Sequence, residues 1–505
     1  MNSLDRVVAY FAPMAALKRE QARRALAYYE AAKPSPYRKG LREPASGDIA
    51  VMRGGLSLRE QARHLDQNHD LAKGILDVLV QNTIGPHGIQ VEPQPRRADG
   101  SIHEAFAREI LLVYRDWAKR PEVTWQHTWP SAQRILARTW YRDGEALAQR
   151  LVGNVSFLDH GTRIPYSLEM MEPDFLPLDY DDLHLNIRMG IQRNAWNRPV
   201  AYWVYKKHPG DQLTYVTQAD LKRVAADRVL HVKMVDRIGQ MRGVSIFASV
   251  MARLDDIKDY EESERVAAKV AASMAAFIIK GTPDLYNPDN DAEQREIKFR
   301  PGMVFDDLEP GESVGTVDTS RPNSNLENHR GGQLRAVAAG TRVTYSSAAK
   351  DYNGTYSAQR QELVEGYGAY GVLSHEFTSQ LVMPAYEDFM QAAILSGRLR
   401  VPADVVAETV DDALYIPPQM PWIDPDKEAK SLERLERNVH ASGPEIIRRR
   451  GQNPRDVLEQ EANWRKQLRE HDLVSDSDPA NENLSLEADD ADEEEAPSAR
   501  RARLV

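Results

Sequence analysis

The sequence predicts an α+β fold, on three observations. Residues 58–143 carry apolar side chains at helical spacing. From Gly144 to about Asp236 the texture changes to short β-branched and aromatic runs between Gly, Asn, Asp and Pro. From Met241 onward long helical patterns return, interrupted by a Pro/Gly-rich segment. Helices gathered around an antiparallel sheet are the arrangement such segregation implies.

Each element has its own warrant. Residues 1–35 are rich in Ala, Arg, Lys and Glu and read as a helical arm ended by Pro34-Ser35-Pro36. A Gly/Pro-rich loop is expected up to about Ser57. Residues 56–85 then read as helix, with Leu71, Ile75, Leu76, Leu79 and Val80 on one face and Gly85 as the stop. A second helix is expected over His103–Lys119, on the stripe Phe106, Ile110, Leu111 and Tyr114, and a third over Trp129–Asp143. In the β block, Asn194 to Arg198 joins two strand-like runs as a hairpin.

Met241 to Ile278 reads as one long helix. Ser245 is the candidate cap, and Phe247, Val250, Met251, Leu254 and Ile257 make one face, continued by Val266, Val270, Met274 and Phe277. Its far half is thin, with Ala267, Ala268, Ala271, Ala272, Ala275 and Ala276. Lys280 to Pro322 reads as a small β module. A short helix is expected at Asn325–Ala339, a polar loop over Gly340–Ser357, and another long helix ending near Gly397. Pro402–Pro425 reads as loop. Lys427–Leu473 is charged and helical, interrupted at Ser442-Gly443-Pro444.

Composition narrows the function. The chain of 505 residues has a net charge of -11. Ten acidic residues and three Arg lie in Ser475–Val505, a net of -7, which leaves -4 for the body (-11 less -7). The tail has no aromatic residue and reads as disordered. A mildly acidic body is no basic glove for nucleic acid, though a protein that lets DNA slide past needs none. With no cysteine, disulfides, Cys-ligated zinc and a thiol nucleophile are excluded. Charges interrupt the apolar N-terminus, so no signal peptide is read, and the Ala-rich stretch around Val266–Ile279 is too short to span a bilayer.

Catalytic patterns fail one by one. Gly366, Gly368 and Gly371 in EGYGAYGVL spell G-x-G-x-x-G, but the preceding residues are helix formers, not the strand that a dinucleotide site requires. The glycines must serve another end: three within six residues of a helix imply a kink or the close approach of another element or subunit. His375-Glu376 lacks the second His of a zinc-protease motif. His64 and His69 stand five apart, off one helical face, and are expected at the surface. Asp255-Asp256, Asp306-Asp307 and Asp411-Asp412 are sequence neighbours whose side chains diverge, so none makes an acid/base pair. Asn353-Gly354-Thr355 is a sequon without use in a chain that is not secreted. No catalytic residue, metal site or cofactor is assigned.

An ordered series of elements resembles the lambda-type portal proteins of tailed phages, over about residues 50–470. It consists of Asp143-Gly144-Glu145 before a strand, Met171-Glu172-Pro173-Asp174, Arg242-Gly243-Val244-Ser245-Ile246-Phe247, Leu308-Glu309-Pro310-Gly311-Glu312-Ser313, Ala338-Ala339-Gly340 and Tyr356-Ser357-Ala358-Gln359-Arg360. The resemblance implies a portal fold: a mainly helical wing, stem and crown, an antiparallel sheet in the wing and a small α/β clip, assembled as a dodecameric ring. The implied parts are an arm (1–45), wing (46–240), first stem helix (241–278), clip (279–325), second stem helix (326–340), tunnel loop (341–355), long wing helix (356–398), crown (399–473) and acidic tail (474–505).

The function implied is a conduit at one capsid vertex for packaging and ejecting double-stranded DNA, nucleating the procapsid, in a virion assembled in the host cytoplasm. The implied partners are further copies of the chain, double-stranded DNA, the terminase large subunit, the major capsid and scaffolding proteins and a head–tail connector or adaptor, with no membrane and no cofactor. Arg342 and Lys350 are the tunnel-loop cations expected to touch phosphate. Arg300, Asp306, Asp307, Glu309 and Glu312 are the clip charges expected to dock motor and connector. The alternatives are a DNA- or nucleotide-acting enzyme and a helical scaffold or adaptor.

Overall fold

In the computed structural model, residues 44–211, 217–272, 276–280, 312–316, 326–419 and 425–471 are described, with isolated Met14, Lys18 and Leu473. Most of the arm, the interior of the clip and the acidic tail lie outside them.

The described chain opens with α1 (Gly47–Asn68) and α2 (Asp70–Thr83). Helix therefore begins nine residues before the expected start, because Ser46 caps it: its Oγ accepts from the N–H of Ile49 at 3.4 Å. The two helices are separate, broken at His69. That residue is buried, with Nε2 3.0 Å from the carbonyl of Leu254, so the surface expectation for His69 is corrected, while His64 is exposed. Strand β1 (Gln90–Pro93) leads to α3 (Glu104–Trp117) and α4 (Trp129–Asp143), both within two residues of the expected bounds. Every residue of the α3 stripe is buried.

The β block forms two antiparallel sheets. One is three-stranded, ordered β3 (Tyr166–Met171), β2 (Glu145–Val152), β8 (Val229–Lys233). The other is four-stranded, with β4 (Ile187–Arg188), β5 (Ile191–Arg193), β6 (Pro199–Tyr205) and β7 (Leu221–Ala225) in chain order. β5 and β6 are the expected hairpin. A small core of Leu147, Met171, Leu176, Ile191, Tyr202, Val204 and Val224 lies between them. The larger core joins the helices to the three-stranded sheet around Trp117 and Trp140, both fully buried.

Three expected elements take different bounds. The long helix α5 spans Met251–Ala272, not 241–278. Residues 241–250 form turns that bury Ser245, Ile246 and Phe247, and Ser245 Oγ accepts from the N–H of Phe247 rather than capping α5. At the far end Ala276–Lys280 is strand β9, paired antiparallel with β10 (Glu312–Thr316). Helix α6 (Leu326–Thr341) returns alongside α5.

The expected polar loop contains a helical turn, α7 (Tyr345–Ala349), before α8 (Tyr356–Phe377). A π-helical turn at Thr378–Val382 links α8 to α9 (Met383–Leu395). Pro384 explains the turn, since it cannot donate to the carbonyl four residues back and its ring crowds that carbonyl. The break lies well after the glycines, and α8 runs unbroken through them. Strand β11 (Ala413–Ile416), inside the stretch expected to be loop, pairs with β1. Then come α10 (Pro425–Arg437), α11 (Gly443–Arg449) and α12 (Pro454–Glu470). Ser442 caps α11, so the Ser-Gly-Pro interruption starts a helix.

Candidate functional site

Three signature segments, far apart in sequence, meet at one buried point. Glu145 opens β2 directly after Asp143 and Gly144, and its carboxylate is fully buried. Oε1 accepts from Arg242 Nη2 at 2.6 Å and from Arg59 Nη2 at 2.8 Å. Oε2 accepts from the N–H of Gly243 at 3.1 Å and from His231 Nε2 at 2.9 Å. Arg242, itself fully buried, also donates to the carbonyls of Leu176, Pro177 and Met189. A carboxylate so placed has every lone-pair direction filled, the condition under which a buried charge is tolerated.

The titration of the cluster follows. Burial alone would raise the Glu145 carboxyl, but the Arg242 charge and the His231 hydrogen bond hold it well below the usual range. Burial lowers His231, and Glu145 offsets this only in part, so the ring is neutral and donates through Nε2. Burial likewise lowers Arg59.

Glycine permits the convergence. Gly144 has φ +86, and a Cβ there would stand 2.3 Å from the carbonyl carbon of Val244. A Cβ on Gly243 would stand 1.9 Å from the carbonyl oxygen of Gly144. The two turns touch backbone to backbone, which no larger residue allows.

Around this point lies a second layer of charge. Arg63 Nη2 donates to Asp143 Oδ2 at 2.8 Å and also bonds Asp174. Arg142 pairs with Asp143, and Arg193 with Asp48 at 3.2 Å. Glu172, Asp174 and His208 place one ligand atom each within 4.8 Å of one another. Arg59, Arg63 and Arg142 already neutralise both carboxylates, so a cation there would meet guanidinium charge. This cluster is a structural joint tying α1, α4, β2 and the segment entering α5.

The expected tunnel-loop cations flank α7. Arg342 is exposed and lies 3.8 Å from Asp236, and Lys350 is exposed at the helix C-cap. Both have left-handed backbone, φ 59 and φ 54. The segment between them is held firmly. Val343 and Ala348 are buried, Ser346 N–H donates to Glu362 Oε1 at 2.9 Å, and the guanidinium of Arg335 lies 4.9 Å from the ring centre of Tyr345. Gly366 of α8 belongs to the same contact: a Cβ there would come within 2.5 Å of Thr344 Cγ2, whereas Gly368 and Gly371 face open space.

Helices α5 and α6 form an antiparallel pair that carries β9 and β10 at its end. Arg330 Nε lies 2.5 Å from Glu261, Tyr260 meets His329 at 5.0 Å, and a Cβ on Gly340 would stand 2.4 Å from Val250 Cγ1. Phe247, Val250, Met251, Leu254 and Ile257 are buried as their pattern implies, but Val266 is 50% exposed. Of the clip charges, Glu312 opens β10 opposite Lys280. Arg300, Asp306, Asp307 and Glu309 lie outside the described residues.

Sequence reasoning missed the charge cluster itself. It quoted Asp143-Gly144-Glu145, Glu172-Pro173-Asp174 and Arg242-Gly243 as ordered markers without placing them together. The available signal was chemical: two Gly beside charged residues in elements otherwise apolar. Arg59 and His231 carried no such flag.

Among the described residues, a buried, glycine-enforced ion-pair joint is thus joined to a long helical hairpin. The sequence profile of the family described as "Phage portal protein, lambda family" matches residues 38–372. The chain therefore belongs to the lambda family of phage portal proteins. It is 24% identical over 436 residues to a protein named "Probable portal protein" from Halomonas phage phiHAP-1, covering 83% of this chain and 82% of that one. Among solved structures it is similar to a chain of the neck of an empty GTA particle, with TM-score 0.47 and 12% identity, covering 81% of this chain and 95% of that one. A chain from the virion of a native gene transfer agent particle gives TM-score 0.44 and 13% identity, with 79% and 95% covered. Among the described residues no helix is long and apolar enough to cross a membrane.

Proposed function

We propose that this chain assembles into a dodecameric ring at a single capsid vertex and serves as the conduit through which double-stranded DNA enters and leaves. Family membership over residues 38–372 carries the proposal. The α5–α6 pair supports it. Its inner half is packed into the core, while from Glu261 to Lys269 no side chain of α5 is buried against the described residues, as expected of a helix completed by neighbours in a closed ring.

In this reading α5 and α6 are the stem, β9 and β10 the base of the clip, and α7 with its flanks the tunnel loop. Arg342 and Lys350 meet the passing phosphates, repeated around the ring, as non-specific positional contacts. Their left-handed backbone is consistent with residues held for a purpose other than stability. The clip charges Arg300, Asp306, Asp307, Glu309 and Glu312 dock the terminase large subunit and then the head–tail connector. The outer surface meets capsid and scaffolding proteins and nucleates the procapsid, in the host cytoplasm. The body's mild acidity lets a polyanion slide.

End-on electron microscopy of the purified chain tests the ring: closed twelve-fold particles are expected, and a chain monomeric at every salt concentration overturns it. Arg342→Ala with Lys350→Ala should assemble normally and lose packaged DNA. Normal packaging by the assembled double variant removes these residues from the site.

A further inference from the structure

Helix α10 lies at the surface. None of its thirteen residues is buried. Its charges sum to zero: Lys427, Lys430 and Arg434 fall at i, i+3 and i+7, Glu428 and Glu436 lie on the opposite side, and Asp426 and Glu433 flank Lys430 at i−4 and i+3. Ser431, Leu435 and Asn438 lie beside the basic stripe on the same side of the helix. Arg437, at its edge, is paired with Glu433 at 2.8 Å. Lys427 Nζ lies 6.0 Å from the ring centre of Tyr356. Among the described residues, Lys430 and Arg434 have no acidic side chain within ion-pair distance.

The complementary charge is in the same chain. Beyond α12, the tail concentrates Glu487, Asp489, Asp490, Asp492, Glu493, Glu494 and Glu495 within nine residues. The seventeen residues from Leu473 to Asp489 can span up to about 55 Å when extended. A tether of that kind presents its charge at an effective concentration of about a millimolar, far above any free competitor of equal affinity.

We infer that the acidic segment 487–495 docks on the basic stripe of α10, against Lys430 and Arg434, within one chain or between neighbouring copies. Docking covers the stripe and withholds it from other polyanions, so that DNA meets it only by displacing a tethered competitor. The contact is ionic and shallow, and salt at a few hundred millimolar dissolves it. The inference stands independently of the ring.

The absence of native cysteine makes the test direct. In the full chain, Ser431→Cys with Ala491→Cys reports docking as disulfide formation under mild oxidation. Ser379→Cys with Ala491→Cys is the control at an exposed site on another face. The first pair should cross-link about tenfold faster, equivalent to about 1.4 kcal/mol of preference. That advantage should vanish when Lys430→Glu and Arg434→Glu are added, and at high salt. Equal rates for the two pairs overturn the inference. A second arm uses a 30-base-pair duplex as the competing polyanion, with the seven tail carboxylates changed to amides. Neutralising them should raise duplex binding through Lys430 and Arg434 several-fold. Duplex binding through these residues that is indifferent to the tail assigns the stripe to nucleic acid and also overturns it.

Discussion

Replacing Glu145 by Gln is the most informative single change in the joint. The amide keeps the volume and removes the charge that Arg59, Arg242, His231 and the N–H of Gly243 all address. Its carbonyl oxygen can still serve the Oε1 donors. Its NH2 group, however, must then face His231 Nε2 and the Gly243 N–H, donor against donor. Arg242 retains three backbone carbonyls, but its charge, at 0% exposure, loses its only carboxylate partner among the described residues. Breaking one side of such a buried pair costs about 3–5 kcal/mol. A control separates charge from packing: Glu145→Leu with Arg242→Met removes both charges together and should cost clearly less than the sum of the single changes, although Arg59 then rests on Asp174 at 3.7 Å. Urea unfolding of the unassembled chain, followed by fluorescence of the buried Trp117 and Trp140, reads the effect. A Glu145→Gln loss below about 1 kcal/mol would refute the claim that this carboxylate holds the joint together.

Further expectations concern the glycines, the left-handed cations and acid. Gly366→Ala should destabilise by about 1–2 kcal/mol, because its methyl enters Thr344 Cγ2, whose rotation would break the 2.7 Å bond from Thr344 to Ser347. Gly368→Ala and Gly371→Ala, with nothing within 4 Å, should each stabilise the unassembled chain by about 1 kcal/mol in the same titration. Arg342→Gly should unfold at a higher urea midpoint than Arg342→Ala, since both remove the charge and only Gly relieves a φ of 59, by about 1 kcal/mol. The joint is acid-sensitive. His231 has a folded pKa below its ordinary 6.5, so its share of stability is complete above pH 6.5 and falls as pH drops toward the folded value. Glu145, also depressed, adds its loss below the ordinary 4.5. His231→Gln should flatten the upper part of the stability–pH curve and leave the lower part, as read by midpoints from pH 4 to 8.

What could be read from the chain follows the range of the interactions involved. Helices α3 and α4 are legible because their apolar stripes each lie within one segment and depend on local spacing alone. The β5–β6 hairpin was legible for the same reason. Strand β11 was not, since Ala413-Leu414-Tyr415-Ile416 sits between prolines and becomes a strand only by pairing with β1, more than 300 residues earlier in the chain. The start of α1 was hidden by Gly54 and Gly55, which usually mark loops. Here the Ser46 cap and burial of Val51 outweigh the propensity cost. His69 went astray because its partner, the Leu254 carbonyl, is contributed by α5. In EGYGAYGVL, the expectation of close approach holds at Gly366, the kink does not occur at the glycines, and two of the three have no explanation within the chain.

That last point bears on assembly. Two helix-interior glycines with nothing within 4 Å among the described residues, and no buried side chain in α5 from Glu261 to Lys269, are costs that a lone chain does not recover. The joint shows the opposite condition: Gly144 and Gly243 are each in contact with backbone, and every charge they bring together is answered inside the chain. The molecule is thus finished where α1, α4, β2 and the entry to α5 meet, and unfinished along the outward helices. A rigid joint with incomplete helices beyond it suits a subunit whose neighbours supply the missing contacts. It follows that the unassembled chain should exchange amide hydrogens rapidly in α5 beyond Tyr260 and slowly in β2. Assembly should slow α5 and leave β2 unchanged. Slow exchange along all of α5 in the unassembled chain would count against the proposed ring as the source of its missing contacts.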